Sequence, residues 1–295
     1  MFLQQDIDHT DISFHMHEYT LADAEKRKRT GQTVLELRIG AHQDPGIRRR
    51  HRPNEDTILM TRGLMPSASL SIPPKTFVLL VVADGMGGQG HGQEASQIAV
   101  QSVTEYVSGS LCAQQRLSED FLPLLRAGVQ SANRVVYERN QQQETVMGTT
   151  MTAVLVSETT AYVAHVGDSR LYLYREPMGL TQITNDHSVV ALLVSAGTIA
   201  PDDIYTHPRR NQIYRSLGSE ASVEVDATAV PLAAGDSLLL CSDGLWEMVR
   251  DPQIAAIVTT RMSTPSDTAH ALIQAALVGG GDDNVSAIVA QVSNV

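Results

Sequence analysis

Four aspartates stand where an apolar run gives way to a glycine or small-residue turn: Asp84 in Val82-Ala83-Asp84-Gly85, Asp168 in Gly167-Asp168-Ser169-Arg170, Asp243 in Ser242-Asp243-Gly244, and Asp283 after Gly279-Gly280-Gly281. A fifth, Asp56, closes Asn54-Glu55-Asp56 ahead of another apolar pair. Short carboxylates on uncrowded turns at strand ends are how a chain gathers oxygen ligands around a hard cation. Any one of them is equally the ordinary use of Asp in a turn, where it caps and tolerates tight backbone. If they converge, charge decides the matter. Two unit charges about 4 Å apart repel by about 1 kcal/mol in water and about 4 kcal/mol at an effective dielectric of 20, so a cluster must be protonated or neutralised by cations. Carboxylate, carbonyl and water ligands select Mg²⁺ or Mn²⁺, and the lack of clustered His and Cys argues against zinc.

The elements that must deliver these residues follow from the apolar pattern. Phe77 to Ala83 is a continuous apolar run, too short for a helix of ordinary length, and predicts a buried strand ending at Asp84. Gln93 to Val107 carries Ala95, Ile98, Ala99, Val103 and Tyr106 at helical spacing. Ser118, Glu119 and Asp120 predict the cap of a second helix through Val136. Thr150 to Val156, Thr160 to Val166 and Leu171 to Tyr174 read as strands whose short turns require antiparallel neighbours. Ser188 to Ala196 predicts a short helix closed by Gly197, followed by an irregular excursion over Thr198 to Arg210. Ser222 to Asp226 alternates as a half-exposed strand, and Ser237 to Cys241 is a buried one ending at Asp243. Helices from Asp251 and over Ser266 to Leu277, then a strand over Val285 to Val292, complete the chain. Strands in blocks and helices in pairs predict an α+β fold of antiparallel sheets covered by helices.

Composition bounds the function. The 295 residues, 42% hydrophobic and 19% charged, bury a large core. A net charge of −11 repels a phosphate backbone, which argues against nucleic acid as a partner. No apolar stretch is long enough to span a bilayer, and Asp6, Asp8 and Glu18 replace the basic start of a signal peptide. A cytoplasmic monomer is the expectation, with Cys112 and Cys241 as buried thiols. Residues 1–33 are polar, include the basic run Lys26 to Arg29, and read as an extension; residues 34–295 read as one domain, with 188–217 as a surface flap. Leu192, Leu193, Met151 and Trp246 read as packing residues.

Taken in order, Val82-Ala83-Asp84-Gly85-Met86-Gly87-Gly88, Glu94-Ala95-Ser96, Gly148-Thr149-Thr150, Gly167-Asp168-Ser169-Arg170, Ser242-Asp243-Gly244-Leu245-Trp246 and Asp283-Asn284-Val285-Ser286 resemble the words of the metal-dependent type 2C (PPM) protein serine/threonine phosphatases. The resemblance runs from about Gly40 to Val292, and six words in one order make it specific. It implies two packed antiparallel sheets flanked by pairs of helices, an α-β-β-α sandwich, with two Mn²⁺ or Mg²⁺ ions at one end. It further implies that Asp84 bridges the ions, that Gly85 offers its carbonyl, and that Asp243 and Asp283 bind one of them. Asp56 would act through water or at the neighbouring ion, and Asp168 with Asp243 would hold an optional third ion. The implied reaction is hydrolysis of phosphoserine and phosphothreonine proteins, the targets of a serine/threonine kinase, with Asp84, Asp243 and Asp56 central to the chemistry. The flap over Ser188 to Leu217 is expected to select the substrate, since loops beside a rigid site commonly carry specificity.

Two positions depart from the family pattern. The phosphate-binding Arg normally stands three residues before the Asn of Asn-Glu-Asp, where this chain has His51 within Arg48-Arg49-Arg50-His51-Arg52. Arg50 or Arg49 is the expected replacement, because a guanidinium can grip phosphate with two parallel hydrogen bonds. Met86 replaces the His that donates a proton in some relatives; His91 and His187 are conceivable substitutes but stay outside the catalytic set, and Asp186 is expected to support the site by hydrogen bonding. Two other classes compete. Gly85-Met86-Gly87-Gly88-Gln89-Gly90 spells a dinucleotide-binding turn, but a second helix rather than a second parallel strand follows it. A catalytically dead binding module of the same fold would be expected to have lost a metal carboxylate, and none is missing here.

Overall fold

A computed structural model of the chain describes residues 35–66, 74–113, 121–143, 146–260 and 264–294. Among them, eleven strands form two antiparallel sheets. The first sheet orders β1 (Leu35–Asp44), β11 (Val285–Asn294), β10 (Ser237–Cys241), β7 (Arg170–Arg175) and β8 (Gly179–Gln182). The second orders β2 (Asp56–Met65), β3 (Lys75–Gly87), β5 (Met151–Ser157), β6 (Thr160–Val166) and β9 (Asp226–Pro231), with β4 (Met147–Thr149) paired to the far end of β3.

The continuous apolar run of β3 is explained by what covers its two faces. Leu79, Val81 and Ala83 point into a cluster with α1 (His91–Cys112) and α2 (Leu122–Gln143), while Val78, Leu80 and Val82 point at Leu238, Leu240 and Ile288 of the other sheet. With a two-residue repeat, both faces of such a strand must be apolar. On the outer face of the first sheet, Leu239, Val289 and Tyr172 pack on Trp246, Leu272 and Ile273 from α4 (Asp243–Trp246) and α6 (Pro265–Gly279), with α5 (Asp251–Thr259) beside them. Helices, sheet, sheet and helices therefore stack in four layers, the expected α-β-β-α sandwich.

Several local expectations change. The strand expected over Ser222 to Asp226 begins at Asp226, where His165 of β6 provides its first partner; Val223 and Val225 instead pack as a loop on the helical core. The first helix starts at His91 because Gly90, at φ 85°, turns the chain into it, and it runs on to Cys112. Cys112 is exposed there, so only Cys241 is the buried thiol expected of both. Leu192, on α3 (Val189–Ser195), is 50% exposed rather than core, whereas Met151 and Trp246 are fully buried. Ser188 caps α3 by accepting from Ala191 N–H, and the excursion after it contains a single 3₁₀ turn over Pro201–Tyr205. The expected cap at Ser118 to Asp120, the basic run at Lys26 to Arg29 and the extension over 1–33 lie outside the described residues.

Candidate metal centre

All five aspartates come to one end of the sandwich because the strands that carry them all end there. Asp56 opens β2 and lies directly opposite Asp84 near the end of β3. Asp243 follows the end of β10, and Asp283 stands two residues before β11, which pairs with β10. Asp168 sits in the turn between β6 and β7, which passes from one sheet to the other.

Close backbone packing leaves no room for side chains at the glycines. A Cβ on Gly85 would lie 1.9 Å from the Gly92 carbonyl oxygen, and one on Gly244 would lie 2.1 Å from that of Asn284. These positions are glycine because two main chains meet there, at the start of α1 and at α4. Asn284 joins three loops: its Oδ1 accepts from Glu55 N–H at 2.8 Å and its Nδ2 donates to the Pro45 carbonyl at 2.9 Å.

The carboxylates are close enough to perturb one another. Asp56 is buried; its Oδ2 accepts from Ser242 Oγ at 2.7 Å and Ser286 Oγ at 2.6 Å. Its Oδ1, like Oδ1 of Asp243, is buried with no hydrogen-bond partner. Burial, with the charges of Asp243 and Asp283, raises the Asp56 pKa to about 7 against the pull of the two serines. Burial first, then Asp283, raises Asp243 to about 6, although its hydrogen bond with Asp84 opposes this. Asp84 is pushed well up by burial and then by Asp56, Asp243, Asp283 and Asp168. Burial and Asp243 raise Asp168, and burial raises Asp283 against the nearby Arg49.

Orphaned, buried carboxylate oxygens among mutually repelling acids are the chemistry of a cation site. The donor set is oxygen only, which fits Mn²⁺ or Mg²⁺. Among the described residues no group of three or more His, Cys, Asp or Glu comes together closely enough to hold a metal ion by itself. An open set leaves coordination positions to main-chain carbonyls and water, as hard divalent ions require.

Of the two expected phosphate-binding arginines, the structure brings one to the site. Arg49 Nη1 lies 2.6 Å from Asp283 Oδ1 and 3.3 Å from both Glu55 Oε2 and Asn284 Oδ1. Arg50 is exposed in the adjoining turn. Asp186 takes the expected supporting place, accepting from Nε and Nη2 of the buried Arg170. His187 is buried away from solvent, its Nδ1 accepting from Gly167 N–H, and burial lowers its pKa; His91 faces Glu94 at 3.9 Å.

Some participants escaped the sequence reading. Glu247 joins the acidic end, its pKa raised to about 7 by burial and then Asp243, and it meets Arg210 of the flap at 3.4 Å. Its spacing of four from Asp243 on a helical turn was the available signal. Ser242 and Ser286 stood inside the matching words, but their shared bond to Asp56 joins strands far apart in sequence.

The chain resembles known proteins in both sequence and fold. The family model described as protein phosphatase 2C matches residues 47–279. The Listeria monocytogenes serine/threonine phosphatase stp is 36% identical over 215 residues, covering 72% of this chain and 84% of that protein. The Mycobacterium tuberculosis serine/threonine protein phosphatase PstP is 35% identical over 263 residues, 88% of this chain and 46% of that protein. The crystal structure of the PstP catalytic domain in complex with two manganese ions superposes with a TM-score of 0.72 at 35% identity, covering 88% of this chain and all of that one. Stp1 from Staphylococcus aureus gives a TM-score of 0.73 at 32% identity, covering 88% and 96%.

Proposed function

The chain belongs to the protein phosphatase 2C family and is a metal-dependent serine/threonine phosphatase, and on that premise we propose which of its residues do the work. Asp84, the Gly85 carbonyl, Asp243 and Asp283 would hold the two ions, with Asp56 contributing directly or through water, and Asp168 with Asp243 would hold a third. The single observation that carries this assignment is the pair of buried, unpartnered oxygens, Asp56 Oδ1 and Asp243 Oδ1, within one acidic cluster. When bound, the ions supply Lewis acidity, lowering the pKa of a water nucleophile and neutralising phosphoryl oxygens.

The remaining chemistry belongs to the chain. Of the two expected arginines it is Arg49, poised beside Asp283 and Asn284, that grips the substrate phosphate by two parallel hydrogen bonds. Ser242 and Ser286 orient Asp56 so that its free oxygen faces the cluster. The flap over 188–217 selects among phosphoproteins. Ser188 bridges Ile213 at its base, Arg210 ties it to Glu247, and Leu192 and Tyr214 present exposed apolar surface.

Residues 34–295 act as the catalytic domain, on the phosphorylated targets of a serine/threonine kinase. No helix among the described residues is long and apolar enough to cross a membrane. A cytoplasmic monomer fits that and the unpaired cysteines. The test is phosphate release from a phosphothreonine peptide with Mn²⁺ and with EDTA, alongside Asp84→Asn. Turnover should need the metal and fall by more than about a hundredfold in the variant, since even outer-shell partners cost 10- to 100-fold. Turnover that ignores EDTA would overturn the assignment.

A further inference from the structure

The turn carrying Asp168 is held by its main chain from three directions. The Gly167 amide donates to His187 Nδ1 at 3.0 Å, the Asp168 carbonyl accepts from Trp246 Nε1 at 3.0 Å, and the Ser169 carbonyl accepts from Thr152 Oγ1 at 3.0 Å. His187 N–H also donates to the Gly167 carbonyl at 2.7 Å. Gly167 adopts φ 109°, and a Cβ there would meet Thr150 at 2.6 Å, so the turn sits tight against β5.

The two side chains that hold Gly167 and Asp168 are themselves fixed. His187 is 2% exposed and Trp246 is 1% exposed. His187 Nδ1 accepts from Gly167, while its Nε2 lies 3.0 Å from Arg215 Nη1 and 3.3 Å from Asp226 Oδ2, so both ring nitrogens are engaged. The Trp246 ring lies 3.6 Å below the guanidinium of Arg170, which Asp186 clamps by three hydrogen bonds. An indole N–H buried this deeply must find an acceptor, and it takes the carbonyl of the one residue in this turn that carries a carboxylate. Thr150 Oγ1 completes the arrangement: it accepts from Asp84 N–H at 2.9 Å and pairs with Ser169 Oγ at 2.7 Å, so the segments bearing Asp84 and Asp168 are hydrogen-bonded through one hydroxyl.

We propose that His187 and Trp246 are positioning residues that set the affinity of Asp168 for a divalent cation. Trp246 has a second role beyond packing, and His187 acts on the metal centre without touching substrate. Both roles rest on the reading that Asp168 serves an ion. A carboxylate contributes to a cation site only if its backbone holds it within a fraction of an ångström of the ligand position, and these two bonds hold that backbone on either side of the Asp168 Cα.

The experiment is calorimetric titration of Mn²⁺ into the full chain stripped of metal, with near-ultraviolet circular dichroism to confirm folding. Trp246→Phe keeps the ring over which Arg170 lies but lacks the N–H. His187→Ala lacks the acceptor, and His187→Asn restores one near the position of Nδ1. Asp168→Asn serves as reference and should abolish the weakest Mn²⁺ step. Trp246→Phe and His187→Ala should each weaken that same step about tenfold, the cost of one buried polar group left unpaired, with tighter steps unchanged and His187→Asn close to the parent chain. The proposal is overturned if folded Trp246→Phe and His187→Ala bind Mn²⁺ like the parent while Asp168→Asn loses the weakest step. It is also overturned if all steps weaken together, which would mark a merely structural role. An unchanged weakest step in Asp168→Asn would overturn the ion assignment beneath it.

Discussion

Asp56 and Asp84 face one another across the β2–β3 ladder, two carboxylates in direct register on neighbouring strands of different chain segments. Like charges so placed oppose folding, and here burial deepens the penalty by raising both pKa values. A dependence of stability on pH and metal follows. Asp56 and Asp243, at about 7 and about 6, bind protons in the folded state that the unfolded chain releases near the ordinary carboxylate value. Wherever the native state binds more protons, stability falls as pH rises. The metal-free protein should therefore melt at a higher temperature near pH 5 than near pH 8, with the loss falling between the ordinary carboxylate range and about pH 7. Mn²⁺ displaces those protons, so its affinity should rise over the same window and saturating ion should flatten or reverse the trend. Melting curves with EDTA and with Mn²⁺ at several pH values check this; an apo stability that rises from pH 5 to pH 8 would contradict it.

Arg49 and Arg50 should behave differently despite being neighbours. Arg49→Ala removes a charged, two-pronged contact and should raise KM for a phosphopeptide about tenfold or more, with a smaller fall in kcat. Arg49→Lys should recover only part of this, since an ammonium lacks the planar fork. Arg50→Ala, exposed in the turn, should leave both constants within about twofold, as surface substitutions remote from such contacts commonly do. Steady-state kinetics on one peptide decides between them.

Gly85→Ala should be among the most damaging small substitutions in the chain. The added methyl would lie 1.9 Å from a backbone carbonyl at the start of α1, and main chain cannot turn aside as a side-chain tip can. A loss of at least about 3 kcal/mol is expected, together with loss of Mn²⁺ binding. Denaturant unfolding and metal titration measure the two effects separately. Gly88→Ala, with nothing within 4 Å of the new atom, is the matched control and should be mild.

Exchanging the flap over 188–217 for that of a relative should reorder peptide preference while leaving hydrolysis of a small aryl phosphate ester within a few-fold. The flap supplies none of the five aspartates, so the chemistry stays with the rigid end. A peptide ranking that survives the exchange would place specificity elsewhere.

The layers and the acidic end were legible because local signals coincided with tertiary ones. The run from Phe77 to Ala83 is apolar on both faces and needs cover on both, and each aspartate stands beside a residue that marks a strand end. What escaped notice depends on contacts across the sandwich. No local pattern could show that Ser242 and Ser286 meet at Asp56, or that Trp246 reaches the Asp168 carbonyl across 78 positions. The strand expected at Ser222 was displaced to Asp226 because alternation marks a half-buried segment without saying which residues find a partner. Arg50 and Arg49 are equivalent as text; only the turn before Asn54 decides which one points at Asp283.

The carboxylate of Asp56 belongs to one sheet, and of the two hydroxyls that grip it Ser286 belongs to a strand of the other and Ser242 stands one residue past that sheet's β10. It works as a dowel through two boards, setting their alignment at the end where the five aspartates gather. Slippage of either sheet would carry Asp243 and Asp283 away from Asp84 as a unit, so the spacing of the whole centre is referenced to one pair of serines. Asp56→Ala would accordingly damage the centre twice, by removing an oxygen from it and by letting its two halves drift, and Ser242→Ala with Ser286→Ala would isolate the second injury from the first.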